Sequence, residues 1–137
     1  MGIYSRVELL KMGFKTLGKD VRVSTWASIY SPECIELGNH VRIDDFCVLS
    51  GAIHIGNFVH VAVYSGLFGG SKGIFVDDFA NISSRVCVYA LSDDYTGLSM
   101  TNPMVPNRYK CVDHGRVEIG KHVIIGTCST VMHCTSR

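Results

Sequence analysis

Two adjacent carboxylates, Asp93 and Asp94, and one histidine, His60, are the side chains of this 137-residue chain best suited to moving a proton. An aspartate of ordinary pKa is a weak base. It serves when burial raises its pKa, when a neighbouring carboxylate opposes a second charge, or when the group it deprotonates is an amine that gives up its proton easily. Histidine titrates near neutrality without such help. His60 precedes Val61-Ala62-Val63-Tyr64, and His114 is a weaker alternative. The six cysteines, Cys34, Cys47, Cys87, Cys111, Cys128 and Cys134, show neither a CxxC pair nor finger-like spacing, so they read as reduced thiols in packing roles. No metal ligand set is expected.

Whatever positions these residues is repetitive. Ile35-Glu36-Leu37-Gly38-Asn39-His40-Val41-Arg42-Ile43, Ile53-His54-Ile55-Gly56-Asn57-Phe58-Val59-His60-Val61, Ile74-Phe75-Val76-Asp77-Asp78-Phe79-Ala80-Asn81-Ile82 and Val117-Glu118-Ile119-Gly120-Lys121-His122-Val123-Ile124-Ile125 are versions of one segment. The register is six residues, marked by an aliphatic at Leu17, Val23, Ile29, Leu37, Ile43, Leu49, Ile55, Val61, Leu67, Val76, Ile82, Val88, Ile119, Ile125 and Val131. Neither a 3.6-residue helix nor a two-residue alternation produces this period. Three markers complete one turn of 18 residues, as from Leu37 to Ile55. The surplus loops out: two residues between Leu17 and Leu37, three around Gly69-Gly70-Ser71-Lys72-Gly73, and 25 between Val76 and Ile119.

The period predicts an all-β triangular prism of about five coils, with markers stacked inward and Val21, Val41, Val59, Ala80, Val86, Val123 and Ser129 filling the corners. Cys47 also falls at a corner. His40, Phe58, Phe79 and His122 share one place in the repeat and should form an outward stack of flat side chains, while His54 aligns with Glu36, Phe75 and Glu118. His60 aligns with Arg42, Asn81 and Ile124.

Residues 1–16 read as a capping helix ahead of a prism domain over 17–137. Ser5-Arg6-Val7-Glu8 is a capping box, and Val7, Leu9, Leu10, Met12 and Phe14 form the predicted apolar face, before Gly13 and Gly18 end the helix. This lid would cover the strand edges of the first coil. A net charge of +1 with 18% charged residues gives no reason to expect nucleic acid or a membrane surface as a partner. No apolar run is long enough for a spanning helix or a signal peptide, so a cytoplasmic location is expected.

The hexapeptide pattern resembles the hexapeptide-repeat acyltransferases, over nearly the whole chain. Ser83-Ser84-Arg85-Val86, Ser92-Asp93-Asp94-Tyr95-Thr96-Gly97 and Thr101-Asn102-Pro103-Met104-Val105-Pro106 are similar to the branch that includes galactoside-type and cell-surface polysaccharide O- or N-acetyltransferases. The resemblance implies a left-handed parallel β-helix that moves an acetyl group from acetyl-CoA to a hydroxyl or amine of a sugar or nucleotide-sugar. It also implies a homotrimer in which the loop over about 89–116 clasps a neighbour and builds the acceptor pocket. Acyl transfer from a thioester then needs a base for the acceptor proton and donors for the oxyanion.

Galactoside-type members place a histidine in a segment resembling Tyr-x-x-Ser/Thr-His. The match is Tyr89-Ala90-Leu91-Ser92-Asp93, which puts Asp93 at the histidine's place. The resemblance therefore nominates Asp93, Asp94 and His60 as catalytic, Ser92, Tyr95, Asn102 and Tyr64 as acceptor-binding, and Gly126, Thr127 and Ser129 as contacts for acetyl-CoA. Related chains continue for further coils, along which the pantetheine arm lies, whereas here His133-Cys134-Thr135-Ser136-Arg137 follows Met132. The chain is either naturally short or truncated. The expectation is that residues after about Val131 are frayed or paired with another molecule, and that acetyl-CoA binds with a Kd of order a millimolar or above.

Two other readings share the prism. A truncated or inactive trimeric binding protein would keep the fold without turnover. A γ-class carbonic anhydrase-like metalloenzyme requires ligands resembling His-x4-His, and here His114 and His122 are eight apart.

Overall fold

The structure, a computed structural model, describes residues 1–134. Its first coil is β1 (Thr16–Leu17), β2 (Arg22–Val23) and β3 (Ser28–Ile29), and its second is β4 (Ile35–Leu37), β5 (Arg42–Ile43) and β6 (Val48–Ser50). The third is β7 (Ile53–Ile55), β8 (His60–Val61) and β9 (Gly66–Phe68), and the fourth is β10 (Ile74–Val76), β11 (Asn81–Ile82) and β12 (Cys87–Tyr89). The chain then leaves the prism, forms an antiparallel pair from β13 (Leu91–Ser92) and β14 (Asp113–His114), and returns as a fifth coil of β15 (Val117–Ile119), β16 (Ile124–Ile125) and β17 (Thr130–Met132).

Each face is a five-stranded parallel sheet: β1-β4-β7-β10-β15 on face 1, β2-β5-β8-β11-β16 on face 2 and β3-β6-β9-β12-β17 on face 3. The result is a parallel β-solenoid. Its register is the one the repeat demands, with Leu37 opposite Ile55, Ile55 opposite Val76 and Val76 opposite Ile119. The markers become a continuous apolar column, and Ile43, Leu49, Ile55, Val61, Leu67, Ile82 and Val88 are all fully buried. Each such side chain contributes roughly 1.5–3 kcal/mol relative to an exposed one.

The corners explain why the period holds. Between faces 1 and 2 the chain turns in four residues every time (38–41, 56–59, 77–80, 120–123), and between faces 2 and 3 it again uses four (44–47, 62–65, 83–86, 126–129). One residue of each of these turns has a left-handed backbone: His40, Phe58, Phe79 and His122 at the first corner, Phe46, Tyr64, Arg85 and Cys128 at the second. That conformation costs a non-glycine residue of order 1 kcal/mol and throws its side chain outward. Stacking offsets part of the cost. His40, Phe58, Phe79 and His122 follow one another at ring separations of 4.6, 5.1 and 4.9 Å, which is the expected column. At the same corner the coils approach so closely that a Cβ on Gly38 would lie 2.5 Å from the carbonyl oxygen of Gly56.

A helix, α1 (Arg6–Met12), precedes the prism, and Ser5 and Glu8 form the predicted capping box before Gly13 ends it in a left-handed conformation. Its apolar face is narrower than expected. Leu9 is buried and Met12 and Phe14 pack against the core, but Val7 and Leu10 are exposed because only one side of this short helix meets the first coil. Two corner residues also depart from expectation: Val123 is exposed and Ser129 only half-buried, since no coil stacks beyond the fifth among the described residues. Cys47 is fully buried with its thiol pushed up to about 11 by burial, an inert packing thiol. No described helix is long and apolar enough to cross a membrane.

The expected fraying after Val131 does not extend to the next two residues. Met132 pairs with Tyr89, and the His133 amide donates to the Tyr89 carbonyl at 3.0 Å, because the fourth coil presents a matching strand. Thr135, Ser136 and Arg137 lie outside the described residues.

Candidate functional site

All three surpluses leave the prism at one corner, between faces 3 and 1. There lie the short 3-10 turn Pro32–Cys34, the glycine-rich turn over 69–73 and the long excursion between β12 and β15. The excursion folds on itself through short polar side chains. Asp94 is buried and accepts hydrogen bonds from the Thr96 amide (2.9 Å) and the Ser99 hydroxyl (2.8 Å). The Oδ2 of Asp93 accepts from the Asn102 amide at 3.2 Å, and the Asn102 side chain in turn accepts from the Met104 amide. The two carboxylates therefore serve different turns. Asp94 organises the loop from within, whereas Asp93 is half-buried at its edge.

Between the loop and face 3 lies a cavity of about 480 Å³. Phe68 and Tyr89 form one wall, stacked at 5.0 Å with their planes 11° apart, and Ser92, Asp93, Tyr95 and Lys110 stand around them. Burial, followed by the neighbouring Cys87 thiol, raises the Tyr89 phenol above its ordinary pKa, so this hydroxyl is protonated at neutral pH. An aromatic wall, one carboxylate, one ammonium and three hydroxyls can hold a flat ring, an anion and an amine together.

The structure thus gathers Ser92, Asp93 and Tyr95 into one cavity and places the other nominated residues elsewhere. Asn102 supports Asp93 through its backbone. His60 lies on face 2, where its Nε2 is 2.8 Å from Asp44 Oδ2, and Asp44 Oδ1 accepts from Arg42 Nε at 2.6 Å. Burial acts to raise the Asp44 pKa, but the bonds from His60 and Arg42 outweigh it and hold the carboxyl below its usual range. Tyr64 belongs to the second corner column, 5.2 Å from the Phe46 ring and 5.8 Å beneath the Arg85 guanidinium. Gly126, Thr127 and Ser129 form the equivalent corner of the fifth coil, where the Thr127 and Ser84 hydroxyls are 3.5 Å apart. Among the described residues no His/Cys/Asp/Glu cluster could hold a metal ion.

Sequence reasoning missed Phe68, Lys110 and Asp44. Phe68 and Tyr89 are 21 residues apart, the same separation as Ile55 and Val76, so repeat arithmetic alone would have stacked them. Nothing in the sequence brings Lys110 to Asp93.

A parallel solenoid of hexapeptide coils with one long excursion over a side cavity is the architecture of a hexapeptide-repeat acyltransferase. No protein-family model matches the chain. It is 47% identical over 135 residues to the dTDP-4-amino-4,6-dideoxy-D-glucose acyltransferase of Escherichia coli, spanning 96% of this chain and 70% of that one. Its structure superposes with a TM-score of 0.94 and 51% identity on AntD, an N-acyltransferase from Bacillus cereus in complex with dTDP and 3-hydroxybutyryl-CoA, over 97% of this chain and 71% of AntD. The same TM-score and identity, over 96% and 71%, relate it to an AntD variant with one serine replaced by alanine, bound to dTDP-4-amino-4,6-dideoxyglucose and coenzyme A. The chain belongs to the hexapeptide-repeat acyltransferases, among those that acylate sugars.

Proposed function

We propose that this protein transfers an acyl group from an acyl-CoA, acetyl-CoA foremost, to the 4-amino group of a dTDP-linked 4-amino-4,6-dideoxyhexose in the cytoplasm, as a homotrimer. The observation that carries this reading is the cavity beside Asp93, on a chain 51% identical to an N-acyltransferase solved with a dTDP-amino-sugar and coenzyme A. An amine acceptor also accounts for Asp93 standing where galactoside-type members have a histidine. A neutral amine is a far better nucleophile than a sugar hydroxyl and needs orientation more than deprotonation.

In this reading Phe68 and Tyr89 stack on the pyrimidine, Lys110 meets the diphosphate, and Ser92, Tyr95 and Asn102 bound the sugar. Asp93 keeps Oδ2 on the Asn102 amide and turns Oδ1 to an N–H of the acceptor amine. The amine nitrogen attacks the thioester carbonyl carbon. A C–N bond forms, the C–S bond breaks, and the proton lost by nitrogen passes through the carboxylate to the departing thiolate, giving amide and free coenzyme A. Asp94 keeps the loop in shape for this. Gly126, Thr127 and Ser129 receive the donor at the fifth coil. Tyr64 and His60 of one copy meet the loop of the next in the trimer, His60 as a second proton acceptor held by Asp44.

The test is release of free thiol from acetyl-CoA and from 3-hydroxybutyryl-CoA with dTDP-4-amino-4,6-dideoxyglucose, set beside a hydroxyl-bearing sugar panel. Amine-dependent thiol release is the expected result. Release with hydroxyl acceptors alone would overturn the amine assignment, and none with either would favour the inactive binding protein. Light scattering showing a stable monomer at micromolar concentration would reject the trimer.

A further inference from the structure

Where the excursion returns to the prism lies a buried polar contact with no part in the chemistry above. The His133 side chain is 1% exposed, and its Nε2 stands 3.3 Å from Asp113 Oδ2. Its Nδ1 is buried with no hydrogen-bond partner among the described residues. A Cβ placed on Gly115 would lie 2.5 Å from His133 Cδ2, so the imidazole is packed directly on the backbone where the loop returns to the prism. A buried imidazole nitrogen without a partner has a free-energy cost of order 1–3 kcal/mol. The site tolerates that cost while satisfying the ring's other nitrogen.

What the bond to Asp113 joins is informative. Asp113 sits opposite Ser92 in the β13–β14 pair, and its neighbour Val112 lines the cavity. His133 follows Met132, which also lines the cavity, and its amide is bonded to Tyr89, part of the aromatic wall. The Gly115 amide donates to the Ala90 carbonyl at 2.9 Å, closing the base of the excursion. One side chain therefore ties the fifth coil to the returning strand at a level where both support cavity walls.

We propose that His133 is a positioning residue for the cavity: by bonding Asp113 it sets the distance between the loop wall carrying Ser92 and Asp93 and the prism wall carrying Tyr89 and Met132. The acceptor, not the acyl donor, is the substrate whose binding depends on it. This rests on the reading of the cavity as the acceptor site.

Two variants separate positioning from bulk stability. His133→Leu retains an apolar side chain in the packing space and removes the bond, whereas His133→Gln retains an N–H that reaches Asp113. In His133→Leu the KM for dTDP-4-amino-4,6-dideoxyglucose should rise about tenfold, the loss of one buried hydrogen bond, while kcat and the KM for acyl-CoA change less than twofold. His133→Gln should restore the parental KM. Amide hydrogen exchange at Ser92 and His114 should quicken in His133→Leu and return to parental rates in His133→Gln. Equal changes in both KM values, or unaltered exchange with an unaltered acceptor KM, overturn the proposal. Should His133→Leu fail to fold, Asp113→Asn weakens the bond from the other side and must show the same selective pattern. If the parent protein transfers no acyl group, the exchange data decide the His133 assignment alone, and that failure counts against the functional reading instead.

Discussion

The three corners of the prism obey different rules. Two of them turn in four residues in every coil from β4 to β17 and carry stacked outward side chains, whereas the third accepts every surplus residue. At the first two corners a left-handed residue stacks on its equivalents above and below, so an insertion would break a column as well as a turn. At the third corner no such column continues, and an excursion disturbs only itself. Regularity and length variation are thereby assigned to separate edges of one repeat. The cavity lies at the edge where the chain can change length without disturbing the core.

The largest test of this division falls on the inner column. Ile82 is fully buried, and Ile82→Asp strands a carboxylate there, at a cost of several kcal/mol. Thermal melting should show loss of cooperative folding. A variant melting within a few degrees of the parent would mean the column is not what holds the coils together.

At the third corner the opposite pattern is expected. Asp93→Asn should lower turnover roughly a hundredfold with little change in melting temperature, because Asp93 supports a loop turn and no part of the column. His60→Ala tests the face 2 alternative by the same measurement. Parental turnover in Asp93→Asn together with a large loss in His60→Ala would move the proton acceptor from the loop to the prism.

The regular corners should be sensitive to stacking in a graded way. Phe58 lies between His40 and Phe79, and Phe58→Ala removes both ring contacts from a half-exposed position. Destabilisation of about 1–3 kcal/mol by chemical denaturation is expected, with turnover unchanged. No loss would show that the turn geometry stands without the column.

The smallest effect is electrostatic. The folded-state pKa of Asp44 is depressed by His60 and Arg42, against the effect of burial, so this carboxyl stabilises the fold above its unfolded pKa of about 3.9 and the contribution fades as pH falls through the folded value. Asp44→Asn should flatten the acid side of the stability profile by less than about 1 kcal/mol, as suits a pair near the surface. The Asp44 titration followed by NMR should move upward in His60→Ala.

The solenoid was legible because its core depends on a strict period: an aliphatic at Ile55, Val61 and Leu67 can point inward only if three short strands make one turn, and the column of His40, Phe58, Phe79 and His122 follows from the same count. The excursion was legible only as a length. Its residues Ser92, Asp93 and Tyr95 were recognisable as a group because they are adjacent in sequence, and they do share a cavity. Tyr64 and His60 were grouped with them by resemblance, yet within this chain they occupy the second corner and face 2.

By itself the sequence determined the period, the identity of the inward markers, the helix cap at Ser5 and the place where surplus chain must leave. Tertiary structure alone decided that Asp94 turns inward while Asp93 faces the cavity, that Lys110 joins Phe68 and Tyr89, that Asp44 holds His60, and that His133 reaches Asp113 across 20 residues. The physical reason is the range of the interactions. A repeat writes its core contacts at fixed separations, so counting recovers them, whereas a loop's contacts depend on how its own hydrogen bonds close and carry no period to count.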